Sequence, residues 1–281
     1  MISKQKIKSF CLLVAILLLF PYLFALNASF RGLGEFSDNM FGFSKLTLEN
    51  YKRVFNDFVY QVVLADGSAG AYDFWGLTGN SFAYAIGGAL CAAMSPCITA
   101  YCCSKFDFLI GKILTNIVYI TMAIPIIGTT AASIQMTKMI GINDTLPGVW
   151  FLKCGFLGMN FLLYFGNFNS IPSDYTESAK IDGAGNFTIF FKIMFPMVKN
   201  LFSLQVILNF VSLWSDYGVP MYYLPSKPTL SLALLNFTNL SATSITMQLA
   251  GCILLCLPTL TLFIAFKDSF MGNVQMGGIK G

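Results

Sequence analysis

The residues of this chain best placed to do work are Glu177-Ser178-Ala179-Lys180-Ile181-Asp182-Gly183, followed after nine residues by Ile193-Met194-Phe195-Pro196. Their chemistry is that of docking rather than of bond breaking. The stretch is polar and punctuated by Gly and Pro. A long polar stretch between spanning helices has to lie outside the hydrocarbon, where water or a partner satisfies its backbone. It carries helix start and stop signals. Asp174 and Glu177 stand three apart, as in a capping box with Asp as the cap, and Gly183 is placed to end the helix. A short capped helix of mixed polarity on a membrane protein suits a groove on another protein.

Catalytic chemistry is poorly supplied. The chain has 281 residues and no His, which removes the commonest general base, the commonest metal ligand and every Ser-His or Cys-His nucleophile. The eight Cys (11, 91, 97, 102, 103, 154, 252 and 256) lie in or at the ends of apolar runs. Cys252 and Cys256 share a helical face, but with no Cys-x-x-Cys pair they read as buried small hydrophobes rather than metal ligands. A net charge of +4, modest and dispersed, gives no nucleic-acid surface. No phosphate-binding Gly-x-x-x-x-Gly-Lys-Ser/Thr loop is present, so the chain cannot hold ATP by that means.

The elements that position the polar stretch are membrane helices. With 56% hydrophobic and 11% charged residues and a mean hydropathy of +0.69, the composition points to an all-α polytopic membrane protein. Six apolar segments reach the roughly 20 residues that a bilayer needs: 10–30, 79–103, 109–136, 147–168, 198–220 and 246–266. Lys4, Lys6 and Lys8 precede the first, which lacks a convincing cleavage site and reads as an uncleaved helix. With the N-terminus inside, the inner segments carry Lys105, Lys112, Lys180, Lys192, Lys199, Lys267 and Lys280 as well. The outer ones carry Arg31, Lys45, Lys52, Arg53, Lys138 and Lys227, mostly in one long loop. The excess of cations in short inner loops predicts cytoplasmic termini and a cytoplasmic Glu177 stretch. The outer loop 31–78 is Gly-rich around Asp66-Gly67-Ser68-Ala69-Gly70; a short helix is expected over 47–55 with Thr47 as its cap.

Glu177, Ala179, Gly183, Ile193 and Pro196 resemble, at the same spacing, the EAA loop of the membrane subunits of binding-protein-dependent ABC importers. Ser178 and Phe195 depart mildly from that pattern. The likeness runs along nearly the whole chain and is similar to carbohydrate importers on the side of the maltose-importer-like (MalG-like) second permease. It includes Asn27-Ala28-Ser29-Phe30-Arg31, Leu48-Glu49-Asn50-Tyr51, Met122 and Pro125, and Trp214, Asp216, Tyr217 and Pro220. The ending Gly277-Gly278-Ile279-Lys280-Gly281 also fits. The 60–75 stretch is longer than is usual in that group.

The resemblance implies a type I ABC importer permease fold, six transmembrane helices and a cytoplasmic coupling helix, in one domain over 1–281. Its parts would be a core 76–267, an N-terminal helix 10–30, the outer loop 31–78, a coupling loop 170–197 and a cytoplasmic tail 267–281. It implies a bacterial plasma-membrane location, a homologous second permease, two ATPase subunits and an extracellular solute-binding (lipo)protein. ATP and Mg would sit on the ATPases, with no cofactor on this chain and no catalysis by it. Glu177, Ala179, Asp182, Gly183, Ile193 and Pro196 would couple to an ATPase, and the tail with Gln275 and Lys280 would reach between the two ATPases. The outer segment 222–243 would face the binding protein.

Polar side chains that lipid would reject mark the candidate sugar path: Lys153, Asn160, Asn209, Asp216, Trp214 and Tyr217, with Asn116, Gln135 and Gln205 also in or near spans. Lys153 and Asp216 fall in the outer half of the membrane and form a pair, line a vestibule or, for Lys153, snorkel. Trp214 and Tyr217 either stack on sugar faces or anchor at the interface. A secondary transporter would show repeated halves and buried coupling charges. An intramembrane enzyme would need converging acid-base groups. Neither pattern is in the sequence.

Overall fold

The computed structural model describes residues 4–42, 46–63, 67–124, 128–238 and 244–276. Helix α1 (Lys4–Ser29) is followed by short helices α2 (Leu33–Asp38) and α3 (Glu49–Asp57), and by a hairpin of β1 (Val59–Val63) and β2 (Ala69–Asp73). Then come α4 (Phe74–Lys105), α5 (Leu109–Ala123), α6 (Thr130–Ile140), α7 (Leu146–Lys153), α8 (Met159–Ser170), α9 (Asp174–Ile181) and α10 (Asn186–Ile189). A π-helical turn, Phe190–Met194, leads into α11 (Phe195–Trp214), which is followed by α12 (Gly218–Tyr223), α13 (Leu230–Thr238) and α14 (Ile245–Met276). Lys45, Asp66, Pro125, residues 239–243 and the ending 277–281 with Lys280 lie outside the described residues, as does the side chain of Gln275.

Four of the six expected spans are continuous helices long and apolar enough to cross a membrane: Lys8–Ser29, Phe74–Lys105, Asn186–Trp214 and Ile245–Lys267. The other two are built in halves. The segment 109–136 is α5 and α6, with Gly128 at φ +83° in the joint. The segment 147–168 is α7 and α8, separated by Cys154-Gly155-Phe156-Leu157-Gly158, with Gly158 at φ 145°. The fifth segment ends as a helix at Trp214 rather than at residue 220. Asp216 Oδ1 accepts the amides of Gly218 (2.9 Å) and Val219 (3.2 Å) and so starts α12 afresh.

Helix α4 is the axis of the bundle, packing against α7, α8 and α11. Its buried positions are mostly small (Ala85, Gly88, Ala89, Ala93, Cys97, Ala100), which lets neighbouring backbones approach closely. A Cβ on Gly87 would stand 2.2 Å from the indole of Trp150, whose Nε1 donates to the Ala83 carbonyl at 3.1 Å. Cys97 is buried in this interface, whereas Cys11 and Cys252, read as buried from the sequence, lie exposed on apolar helix faces.

The segment 31–78, read from the sequence as an outer loop, is more regular over its described residues than its sequence suggests. Val59 to Val63 pairs antiparallel with Ala69 to Asp73, and Tyr60 Oη accepts a 2.7 Å bond from Asn236. Asp73 then caps α4 by accepting from the Gly76 amide (2.8 Å). The expected cap on α3 is present in part, since Thr47 Oγ1 accepts from Glu49 N at 3.2 Å. The segment after α12, expected to face a binding protein, packs its described residues against the body. Leu230, Ala233 and Leu234 are buried; Asn80 donates to the Pro228 carbonyl, and Ser81 accepts from Leu230 N.

Beneath the loop lies a fully buried Arg31. Its guanidinium donates to the carbonyls of Glu35 (2.7 Å), Asn39 (2.6 Å) and Met40 (3.2 Å), closing the end of α2. Asn50 Nδ2 donates to the carbonyls of Ser29 and Arg31, both at 2.8 Å, tying α3 to the end of α1. Arg31→Leu removes all three of these bonds from a buried site and is expected to cost about 3 kcal/mol, read as a fall in thermal stability. Arg31→Lys should recover only part of the loss, since an ammonium lacks the planar fork.

Candidate coupling surface and solute path

Helix α9 is anchored on one side and bare on the other. Thr176 and Ala179 face inward. Ala179 joins a core cluster with Tyr101, Phe168, Phe190 and Met194. Asp174, Glu177 and Asp182 lie exposed, as do Tyr175 and Ile181. The Glu177 carboxylate makes no hydrogen bond or ion pair among the described residues.

The start of α9 differs from the capping box read in the sequence. Asp174 is the first helical residue and Ser173 stands at the cap with φ −65° and ψ −24°, already helical, so no side chain turns back onto the first amides. Instead the Ser173 carbonyl accepts from the Thr176 and Glu177 amides and from Thr176 Oγ1. Asp174 and Glu177 act only through favourable charge at the helix N-terminus.

The stop at Gly183 is as the sequence reads. Gly183 has φ +79°, Ala184 N donates to Ala179 O (2.9 Å), and Gly183 N donates to Lys180 O (3.0 Å), a Schellman ending. A Cβ there would meet no neighbour within 4 Å, so the cost of substitution is backbone strain alone. Gly183→Ala is expected to lose about 1 kcal/mol, measurable as a small fall in melting temperature.

After α10 the chain widens into the π-helical turn, where Phe195 N reaches back to Phe190 O. Pro196 is the cause: it has no amide to offer, and its ring would press on a carbonyl one tight turn back. Ile193 is half-buried. It closes a cleft of about 450 Å³ with Pro172, Asp174, Tyr175, Ser178, Ala179 and Asp182. Three of the expected coupling residues, Ala179, Asp182 and Ile193, thus meet in one cleft. Glu177, Gly183 and Pro196 lie outside it.

Two contacts missed by the sequence reading hold this end of the bundle. Lys105 Nζ donates to the Ile171 carbonyl at the end of α8 (2.6 Å), and Lys180 Nζ lies 6.0 Å from the Phe106 ring centre. Beside them, Lys112 Nζ sits 2.7 Å from Asp107 Oδ1, and this bond holds the Asp107 carboxyl below its ordinary range.

At the opposite end of α4 the polar path residues separate into two groups. Lys153 and Asp216 stand as a pair, Nζ to Oδ2 3.9 Å, each side chain about a quarter exposed (25% and 24%). Tyr84 Oη donates to Asp216 Oδ2 at 2.7 Å, and Ser231 Oγ donates to the Asp216 carbonyl at 2.7 Å. Asp216 therefore links α4, α7, α12 and α13. Tyr84 was not singled out in the sequence, where a tyrosine in an apolar run carries no signal of a partner 132 residues away.

The rest do not converge. Trp214, offered as a sugar-stacking surface or interfacial anchor, is 1% exposed; it stacks on Phe210 and donates Nε1 to the Leu255 carbonyl at 2.8 Å. Both of its faces are taken, so neither role stands. Tyr217 is half exposed. Asn209 spends its amide on the Gln205 carbonyl (2.8 Å), and Asn160 is half-buried. Asn116 and Gln135 are exposed on their helices. No cluster of three metal-ligating side chains is found among the described residues.

The chain is similar to known proteins along most of its length. A family model described as "Binding-protein-dependent transport system inner membrane component" matches residues 85–274. The chain is 26% identical over 289 aligned residues to the maltodextrin transport system permease protein MdxG of Bacillus subtilis, covering 100% of this chain and 98% of that one. It is 28% identical over 276 residues to the galactooligosaccharides transport system permease protein GanQ of the same organism (95% and 92%). It is 30% identical over 191 residues to the maltodextrin transport system permease protein MalD of Streptococcus pneumoniae (66% and 67%). A crystal structure of a bacterial ABC transporter involved in the import of the acidic polysaccharide alginate contains a chain of the same fold. The TM-score is 0.74 at 20% identity, with 95% of this chain and 98% of that one covered.

Proposed function

Since this chain belongs to the family of binding-protein-dependent transport system inner membrane components, we propose that it is the membrane-spanning permease subunit of an ATP-driven sugar importer. A homologous second permease completes the pore, two ATPase subunits supply the work with their own ATP and Mg, and an extracellular solute-binding protein delivers the sugar. The chain itself transmits motion and performs no catalysis. It sits in a bacterial plasma membrane with both termini and α9 cytoplasmic, the orientation favoured by its lysines.

One observation supports the coupling role above others: α9 is pinned to the core through Ala179 and stopped at Gly183, while Glu177 and Asp182 stay exposed, their carboxylates unpaired among the described residues. A helix fixed on one face and free on the other acts as a lever. When the ATPases close, the lever is drawn inward and the bundle around α4 tilts as a body, since packed interfaces shift between discrete arrangements rather than deform continuously. Contact with the ATPases is assigned to Gln275 and Lys280 by the family resemblance alone. The Lys153–Asp216 pair, with Asn160, Asn209 and Tyr217, belongs to the path side of the bundle, and carbohydrate is the solute class of the named relatives.

The test is uptake of labelled maltodextrins and galacto-oligosaccharides in cells whose companion ATPase has been inactivated. The proposal expects uptake to vanish although this chain stays in the membrane. Uptake that continues on an ion gradient alone would identify a secondary transporter instead.

A further inference from the structure

We infer that the break between α7 and α8 lines a water-filled solute path and offers its backbone N–H and C=O groups to sugar hydroxyls. The sugar rests on the proposed import function; the water-lined backbone does not.

Gly155, Phe156, Leu157 and Gly158 neither give nor accept a backbone or side-chain hydrogen bond within the described residues. Cys154, just before them, is satisfied, its amide by Phe151 O and its carbonyl by Ser95 Oγ. Four N–H and four C=O groups are thus left open in one short run.

Their depth makes this costly in lipid. Ser95 and Lys105 share helix α4, ten residues apart, which is about 15 Å at the standard rise per residue. Lys105, as a cation, stands at or outside the boundary of a hydrocarbon core about 30 Å thick. The break, tied to Ser95, therefore lies inside that core. Each unsatisfied backbone group exposed to lipid there costs several kcal/mol, so irregular backbone at this depth persists only against protein or water.

The local geometry selects water. Phe156 packs inward on the cluster containing Cys97, Phe161 and Tyr164, which turns the chain's other side outward. Gly155 is exposed and Leu157 is 49% exposed. A Cβ at Gly155 or Gly158 would meet nothing within 4 Å, so the backbone is bare with open space beside it. Gly158, at φ 145° and ψ −170°, holds a conformation that is essentially glycine-only. The apolar face of a partner's spanning helix could cover this surface but not satisfy it, because its backbone bonds are spent internally and only polar side chains or water can answer open N–H and C=O groups. Water and polyhydroxy compounds can satisfy it, as both donate and accept. Lys153, next in the chain, and its partner Asp216 continue the polar strip along the same path.

The experiment is hydrogen–deuterium exchange of the wild-type assembled transporter in lipid nanodiscs, with maltotriose as probe, after uptake of maltotriose by the same preparation has been measured. The amides of 155–158 should exchange within seconds, at least a hundredfold faster than those in the middle of α8. Maltotriose with the binding protein and ATP should slow them at least threefold. Exchange as slow as in α8 would overturn the water-lined break, whether or not the preparation imports sugar. Fast exchange that maltotriose leaves unchanged, in a preparation that imports it, would overturn the sugar contact. Absence of uptake, by contrast, strikes the import reading while the exchange rate still decides the break.

Discussion

Ala179→Asp will abolish sugar uptake while leaving the chain in the membrane. Ala179 is 7% exposed, and its methyl is surrounded by aromatic and apolar side chains of α4, α8 and the π-helical turn. A carboxylate there would be desolvated among apolar side chains and would cost several kcal/mol if kept in place. The cheaper response is for α9 to swing off the body, which removes the lever and spares the bundle. The expected readings are a loss of uptake of at least tenfold, ATP hydrolysis that no longer responds to binding protein and sugar, and a near-normal amount of complex in membranes. Ala179→Ser, with an uncharged side chain close in size, should keep at least half of the uptake.

Asp216→Ala should be the most damaging single change on the opposite side. It takes the acceptor from Tyr84 Oη and from the amides of Gly218 and Val219, and leaves Lys153 without its countercharge inside a span. With both side chains about a quarter exposed, solvent moderates the loss, and about 3 kcal/mol of stability is expected. Asp216→Asn keeps an oxygen for the two amides and should lose less. In Lys153→Met combined with Asp216→Ala the stranded cation is gone, so the double variant should be more stable than Asp216→Ala alone by about 1–2 kcal/mol. Thermal unfolding of the wild type, Asp216→Ala, Lys153→Met and the double variant measures the cycle. A double variant no better than the single one would show that the pair is incidental.

How much of this was legible in the sequence depends on the range of the interaction concerned. The stop at Gly183 was readable because a left-handed turn is a local fact, whereas Pro196, taken only as part of the resemblance, gave no warning of the π-helical turn before it. The capping box was misread because Asp174 and Glu177 have the right spacing but Ser173 is already helical, which spacing cannot reveal. The two divided spans were read as continuous since hydropathy counts apolar residues and ignores hydrogen bonding. The signal present was Gly155 and Gly158, three apart in an apolar run. The hairpin had its own cue in the β-branched and aromatic residues of Val59-Tyr60-Gln61-Val62-Val63, weak in so short a run. Trp214 was assigned to the surface from residue type; its burial depends on Phe210 and on a carbonyl 41 residues away. The Lys153–Asp216 pair was foreseeable from depth alone, because two opposite charges at one level of a membrane gain by meeting.

The lever is the claim on which the rest turns, and site-directed cross-linking from its exposed face tests it most directly. Ser178→Cys, carrying a short thiol-reactive cross-linker, should couple to the companion ATPase in native membranes, with a yield that changes between nucleotide-free and ATP-trapped states. Reaction of that cysteine in whole cells with a membrane-impermeant reagent applied from outside, with no ATPase adduct, would contradict the account.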